Sequence, residues 1–254
     1  MYGVDQISTF LLVTVRCLSF FAIGPLFTHQ KVPPQMQALA GVATAVALFP
    51  TVPPAHWVLE TSLFGFALVI AREVLLGGLL GTVAGALFAG VQFAGHLAGI
   101  QMGFSVAQVF DPNNNEQMPL VGRLQELFAA LLFLLLDGHH ILLSALSVSL
   151  QKVPPGHLPA PPALLASVTM VGSAVFLLAI QVGGPVVAAL FLTDAALGFV
   201  ARAVPQMNIF LVGLPVKIAG GLALLAVTAP LFGAAIGPYT RALEGQLLAL
   251  LAGM

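Results

Sequence analysis

From Thr61 to Phe110 the chain stays apolar for about twice the length that one membrane crossing needs, and Arg72 and Glu73 are the only charged residues on the way. A segment of that kind has no water to bond to, so its backbone must satisfy its own N–H and C=O groups, and a helix does so within one stretch of chain. Two helices or one long bent hairpin are expected. Gly77, Gly81 and Gly85 recur at four-residue spacing, as do Gly95, Gly99 and Gly103. Such stripes let neighbouring helix backbones approach closely, within one chain or between subunits. Arg72 and Glu73 are adjacent and therefore face different directions on a helix, so each is expected to find a partner other than its neighbour.

Composition extends this reading to the whole chain. Of 254 residues, 59% are hydrophobic and only 7% charged, and the mean hydropathy is +1.05. A soluble domain of this length shows water far more polar surface. The expected class is an all-α integral membrane protein, folded as one membrane-embedded domain over residues 1–254. Eight Lys and Arg stand against nine Asp and Glu, a net charge of -1, so there is no basic footprint for nucleic acid. The single cysteine, Cys17, lies in an apolar run and reads as a small buried hydrophobe.

Along the chain, Ile7 to Phe27 reads as a retained membrane helix, with Asp5 ahead of it and no cleavage pattern behind. Arg16 lies in mid-run, where insertion scales charge about 2.5–3.5 kcal/mol for a lipid-facing arginine. It is expected to point into a protein interface. Gly24, Pro25, Pro33 and Pro34 mark a loop, and Met36 to Phe49 is a second, short apolar segment closed by Pro50, Pro53 and Pro54. Gly103 to Pro119 is the most polar stretch, with Asp111, Pro112, Asn113, Asn114, Asn115, Glu116 and Gln117 in turn-forming sequence. Leu120 to Leu150 resumes as a helix or helical hairpin, with a turn expected at Asp137 and Gly138. His139 and His140 beside Asp137 are metal-ligand types, but adjacent histidines diverge by about 100° on a helix, unlike the same-face pair of a zinc-binding helix. No metal and no cofactor is expected.

Gln151 to Pro162 holds five prolines and reads as a loop. Ala163 to Thr193 is expected to break at Gly183, Gly184 and Pro185, and Ile209 to Ile236 at Pro215, Gly220, Gly221 and Pro230. About six kinked span or hairpin units result. The basic residues of the loops are too few and too evenly spread to orient the chain. Between these units, Asp194, Arg202, Gln206, Asn208 and Lys217 stand among apolar neighbours. With Arg16, Arg72, Glu73, Asp137, His139 and His140 they form a candidate intramembrane polar seam, since ionisable groups in hydrocarbon face protein or water and pair with one another.

Arg202, Pro205, Gln206 and Asn208, followed by Gly213, Pro215 and Lys217, resemble the FliR family of flagellar biosynthetic proteins, whose injectisome relatives are SctT-type proteins. Arg72, Glu73 and Gly77, then Gln101 and Gly103, then Asp111 and Pro112, then Asp137 to His140 fall in the family's order, so the resemblance covers essentially the whole chain. It implies a nonenzymatic subunit of the type III export gate at the flagellar basal body in the bacterial inner membrane. FliP-like and FliQ-like subunits would be its partners around a protein-conducting pore, with FlhB-like and FlhA-like components nearby and unfolded flagellar proteins as cargo. It also implies a FliP-type part followed by a FliQ-type part within the chain. The loop equivalent to Gly103, Phe104, Phe110 and the residues from Asp111 to Met118 is placed in the family as a plug inside the pore. Gly103 and Gly122 are possible hinges for it.

Broken helices with midplane charges also build secondary transporters, but no convincing inverted repeat is visible and the chain is small for one. An intramembrane hydrolase built on Asp137, His139 and His140 lacks a nucleophile elbow or zinc motif.

Overall fold

The structure is a computed structural model, and it describes residues 4–24, 32–52, 63–104, 120–156 and 161–252. Every regular element among these residues is helical. In chain order they are α1 (Val4–Ile23), α2 (Pro34–Leu48) with a short 3₁₀ turn after it, α3 (Leu63–Met102), α4 (Leu120–Leu135), α5 (Gly138–Lys152), α6 (Pro161–Ala203) and α7 (Ile209–Ala252). Four of them, α1, α3, α6 and α7, are long and apolar enough to cross a membrane, or five spans result if α4 and α5 count together as one. The all-α membrane class holds.

The apolar length is divided differently from the expected six units. The 40 residues of α3 form one helix without a break. Likewise α6 runs through Gly183, Gly184 and Pro185, and α7 through Pro215, Pro230 and Pro238. An interior proline removes one i→i−4 bond and costs about 3 kcal/mol in a solvated helix. Unwinding the helix beside it would strand several more backbone groups in hydrocarbon, so continuing through the proline is the smaller penalty. The break between α6 and α7 comes instead at 204–208, beside Pro205, where the chain is exposed and backbone groups can reach water. Asn208 restarts the helix there: its Oδ1 accepts from the N–H groups of Phe210 (3.1 Å) and Leu211 (3.4 Å), an N-cap.

The chain forms two compact units, each discontinuous in sequence. The first comprises Met1–Ala86, Asp137–Gly172 and Thr240–Met254. Within it α1 packs on α2 and on the first half of α3. A Cβ at Gly41 would lie 2.9 Å from Leu18 Cδ2, and one at Gly77 would run into Ser19 Oγ and the Arg16 carbonyl. Gly81 is similarly close to Phe20 O, so this glycine stripe is used within the chain. Gly85, next in the same stripe, meets nothing within 4 Å among the described residues.

The second unit comprises Leu87–Leu136 and Ser173–Tyr239. Its core gathers Ala98 and Met102 of α3, Val121 of α4, and Val186 and Leu190 of α6, with Phe104, Leu224 and Leu225 packed against them. Close approaches make this possible. A Cβ at Gly95 would collide with Gly122 Cα, and one at Gly183 would come within 3.1 Å of Ala94. Phe88 and Phe133 meet edge to face, with centroids 5.5 Å apart.

Candidate functional site

The residues expected to form one polar seam fall at four separate places in the chain. In the first unit, Arg16 is completely buried and faces Glu73, also completely buried, with Nε donating to Oε2 at 2.6 Å and Nη2 to Oε1 at 3.2 Å. Arg16 Nη1 also donates to the carbonyls of Ser149 (3.0 Å) and Val153 (2.8 Å), and the Gly156 N–H donates to Glu73 Oε1. Arg72 points elsewhere, and its Nη1 donates to the Gly156 carbonyl at 3.2 Å. The pair thus stitches α1 and α3 to the last turn of α5 and the turn after it. Gly156 sits at φ +93, a conformation glycine adopts at little cost, and this aims both of its peptide groups at the two α3 side chains. The partners of Arg72 and Glu73 are different, and each lies within the chain.

In the second unit, Asp194 of α6 takes a hydrogen bond from Gln101 Nε2 at 2.8 Å on its Oδ2 and pairs with Lys217 of α7, whose Nζ lies 2.8 Å from Oδ1. Three helices meet at this carboxylate. Lys217 is mostly buried while Asp194 is part-exposed, so the group is reached from outside. Arg202, eight residues beyond Asp194, is exposed and belongs to a different group with Gln206 and Asn208 at the α6–α7 break. Of these, Asn208 has the capping role already described. Lys217, which comes back along α7, is the residue that meets the Asp194 carboxylate.

Asp137, His139 and His140 lie where α4 gives way to α5. Asp137 has φ +56, the one non-glycine residue in the left-handed region among those described, so the turn falls where expected but on the aspartate itself. The two imidazole rings are closer than helical divergence suggests, with centroids 4.2 Å apart and planes 35° apart. One donor atom from each of the three side chains falls within 4.8 Å of the others. His140 Nδ1 already lies 3.4 Å from Asp137 Oδ1, and the first turn of a helix carries positive partial charge that works against a cation.

Gly103 and Phe104 begin the polar stretch; Phe110, Asp111, Pro112, Asn113, Asn114, Asn115, Glu116, Gln117 and Met118 lie outside the described residues. The two stems of that stretch are described, and they converge. Met102 and Val121 belong to one buried cluster, and Phe104 packs on it. Gly103 ends α3 at φ +92, donating its N–H to Ile100 O at 3.0 Å, with Leu214 of α7 packed where a Cβ would stand. Gln101, two residues ahead, is the Asp194 ligand. Gly122, the other expected hinge, lies inside α4 against Gly95, so close helix packing explains it. Sequence reading passed over Gln125, an amide of α4 that stands between Arg123 and Glu126. It is 2% exposed, and among the described residues neither its Nε2 nor its Oε1 has a hydrogen-bond partner.

The sequence model described as "Bacterial export proteins, family 1" matches residues 7–242. The chain belongs to the FliR family of flagellar export proteins. It is 38% identical over 231 residues to the flagellar biosynthetic protein FliR of Bacillus subtilis (strain 168), covering 88% of this chain and 87% of that protein. It is 31% identical over 238 residues to FliR of Escherichia coli (strain K12), covering 94% and 89%, and 30% identical over 251 residues to FliR of Pectobacterium carotovorum subsp. carotovorum, covering 98% and 93%. Family membership and the apolar helices together make this a membrane component of flagellar protein export.

Proposed function

We propose that the chain is a subunit of the flagellar type III export gate in the bacterial inner membrane, and that it builds a protein-conducting pore with FliP-like and FliQ-like subunits. FlhB-like and FlhA-like components would hand unfolded flagellar proteins to that pore. The chain would contribute as one membrane-embedded domain, with FliP-like and FliQ-like features in its two halves. A pore wide enough for an unfolded chain must close at rest, or ions would dissipate the membrane potential. We assign that closure to Gly103 to Pro119. The convergence of its stems on one buried cluster carries this reading, because a loop leaving and returning at one point moves without unpacking the helices that hold it.

The chemistry of the stretch is compatible with such a role. Asn113, Asn114, Asn115 and Gln117 bond to water or to pore walls without fixed charge. At its root, Gln101, Asp194 and Lys217 hold three helix segments together, so the anchor stays rigid while the loop moves. The test is to shorten Phe110 to Gln117 and reconstitute the assembled complex in vesicles. Assembly should persist while resting leakage of ions and small solutes rises; an assembled variant that seals as tightly as the parent overturns the plug assignment.

A further inference from the structure

Asp137 is the N-cap of α5, the position from which an aspartate usually bonds the first-turn N–H groups, yet its carboxylate makes no such bond. Among the described residues its polar contact is His140 Nδ1, 3.4 Å away. That is long for an N–H···O hydrogen bond, which spans about 2.7–3.2 Å. It matches the separation of about 3.4 Å between two ligand atoms on a tetrahedral zinc ion with bonds of about 2.0–2.2 Å. His139 completes the set, with a ligand atom of each side chain within 4.8 Å of the other two. The Nδ1 of His139 is closed to solvent and has no hydrogen-bond partner among the described residues. Water would stand about 2.9 Å from that nitrogen, whereas a zinc ion bonds at about 2.0–2.1 Å and fits where water does not. Adjacent histidines diverge inside a helix, but these two lie at the start of α5, where no preceding turn restricts χ1. Their rings therefore come together, with centroids 4.2 Å apart.

We propose that Asp137, His139 and His140 bind one divalent transition-metal ion of the zinc type, with its remaining position left to water or an outside donor. The donor set selects the ion. Two imidazoles and one carboxylate suit zinc, whereas calcium and magnesium are held by oxygen ligands. Asp137 and His140 are 74% and 70% exposed at their side chains, so the ion enters from outside and keeps an open coordination position there. The positive end of α5 works against this, by about three- to thirtyfold in affinity for a doubly charged ion. A single partner one shell further out from a metal is worth about tenfold to a hundredfold, so three direct ligands outweigh the helix end. Once bound, the ion ties Asp137, at φ +56, to the first turn of α5 and takes the place of the side-chain cap that this helix lacks. The site is independent of the export-gate reading, since all three ligands come from this chain.

The experiment uses the full chain, purified in detergent on a tag without histidine and stripped with a chelator. Equilibrium dialysis against Zn²⁺ should show one saturable ion per chain that excess Mg²⁺ or Ca²⁺ does not displace; the lack of saturable binding overturns the site. His139→Gln, His140→Gln and Asp137→Asn should each weaken binding at least tenfold while the metal-free melting temperature stays near that of the parent. Parental affinity in any of them overturns the three-ligand assignment. His96→Gln, on α3, should leave the affinity unchanged, and an equal loss there marks adventitious binding to any of the six histidines and overturns the proposal. Zn²⁺ should also raise the melting temperature of the parent but not that of His140→Gln. Co²⁺ in place of Zn²⁺ gives a reading that needs no variant to fold: bound tetrahedrally it absorbs visible light far more strongly than its aqua ion does. A spectrum no different from that of the aqua ion overturns the site.

Discussion

Removing one side of the Arg16–Glu73 pair strands a full charge among helices, which makes this the most sensitive point of the first unit. Glu73→Gln should destabilise the chain by about 3–5 kcal/mol, the range for breaking a buried ion pair from one side, as read from thermal unfolding in detergent. Replacing both partners, as Arg16→Met with Glu73→Leu, should recover only part of that loss. The carbonyls of Ser149 and Val153 and the N–H of Gly156 would still lack the bonds they have now. Full recovery in the double variant would show that these backbone bonds contribute nothing. The Asp194–Lys217 pair is different, being partly exposed and beside the stem of the candidate plug. Lys217→Met and Asp194→Leu should each impair motility and recovery of the complex, and the charge-swapped pair, Asp194→Lys with Lys217→Asp, should restore part of both. Motility and complex yield at parental levels in both single variants would remove the pair from the export machinery.

At the scale of helices, two glycines of one stripe separate packing from bare surface. Gly77→Ala puts a methyl group onto Ser19 and the Arg16 carbonyl, so α1 and α3 must move apart; overpacking of this kind costs about 1–3 kcal/mol. Gly85→Ala meets nothing and should be neutral or stabilising by up to about 1 kcal/mol, the helix-propensity difference between the two residues. Equal melting temperatures for the two variants would mean that α1 does not pack on α3 as described. The stripe itself was legible in the sequence, because spacing alone places small residues on one helix face. What each glycine touches was not, since that depends on which helix arrives there from elsewhere in the chain. The same limit applies to Arg16, whose need for a partner followed from its place in an apolar run, whereas Glu73 as that partner required the approach of α3. Proline was the misleading signal. Rules drawn from helices in water make Pro185, Pro215 and Pro230 look like breaks, but a helix surrounded by hydrocarbon loses more by opening than by bending, and α6 and α7 continue. Gln125 escaped notice because an amide carries no charge, and only its burial shows that it needs something.

For the molecule as a whole, the Arg16 clamp has a consequence in time. Its acidic partner is 57 residues further along the chain, and the Val153 carbonyl 137 residues further. At the usual bacterial or eukaryotic synthesis rates of about 5–20 residues per second, Glu73 emerges about 3–11 s after Arg16. Throughout that interval α1 carries an arginine with nothing to neutralise it. Its apolar residues must outweigh that charge unaided if α1 is to enter the membrane first. Otherwise α1 waits at the surface and inserts together with α3 as a preformed pair, and the clamp that stabilises the finished unit also sets the order in which its parts can be born.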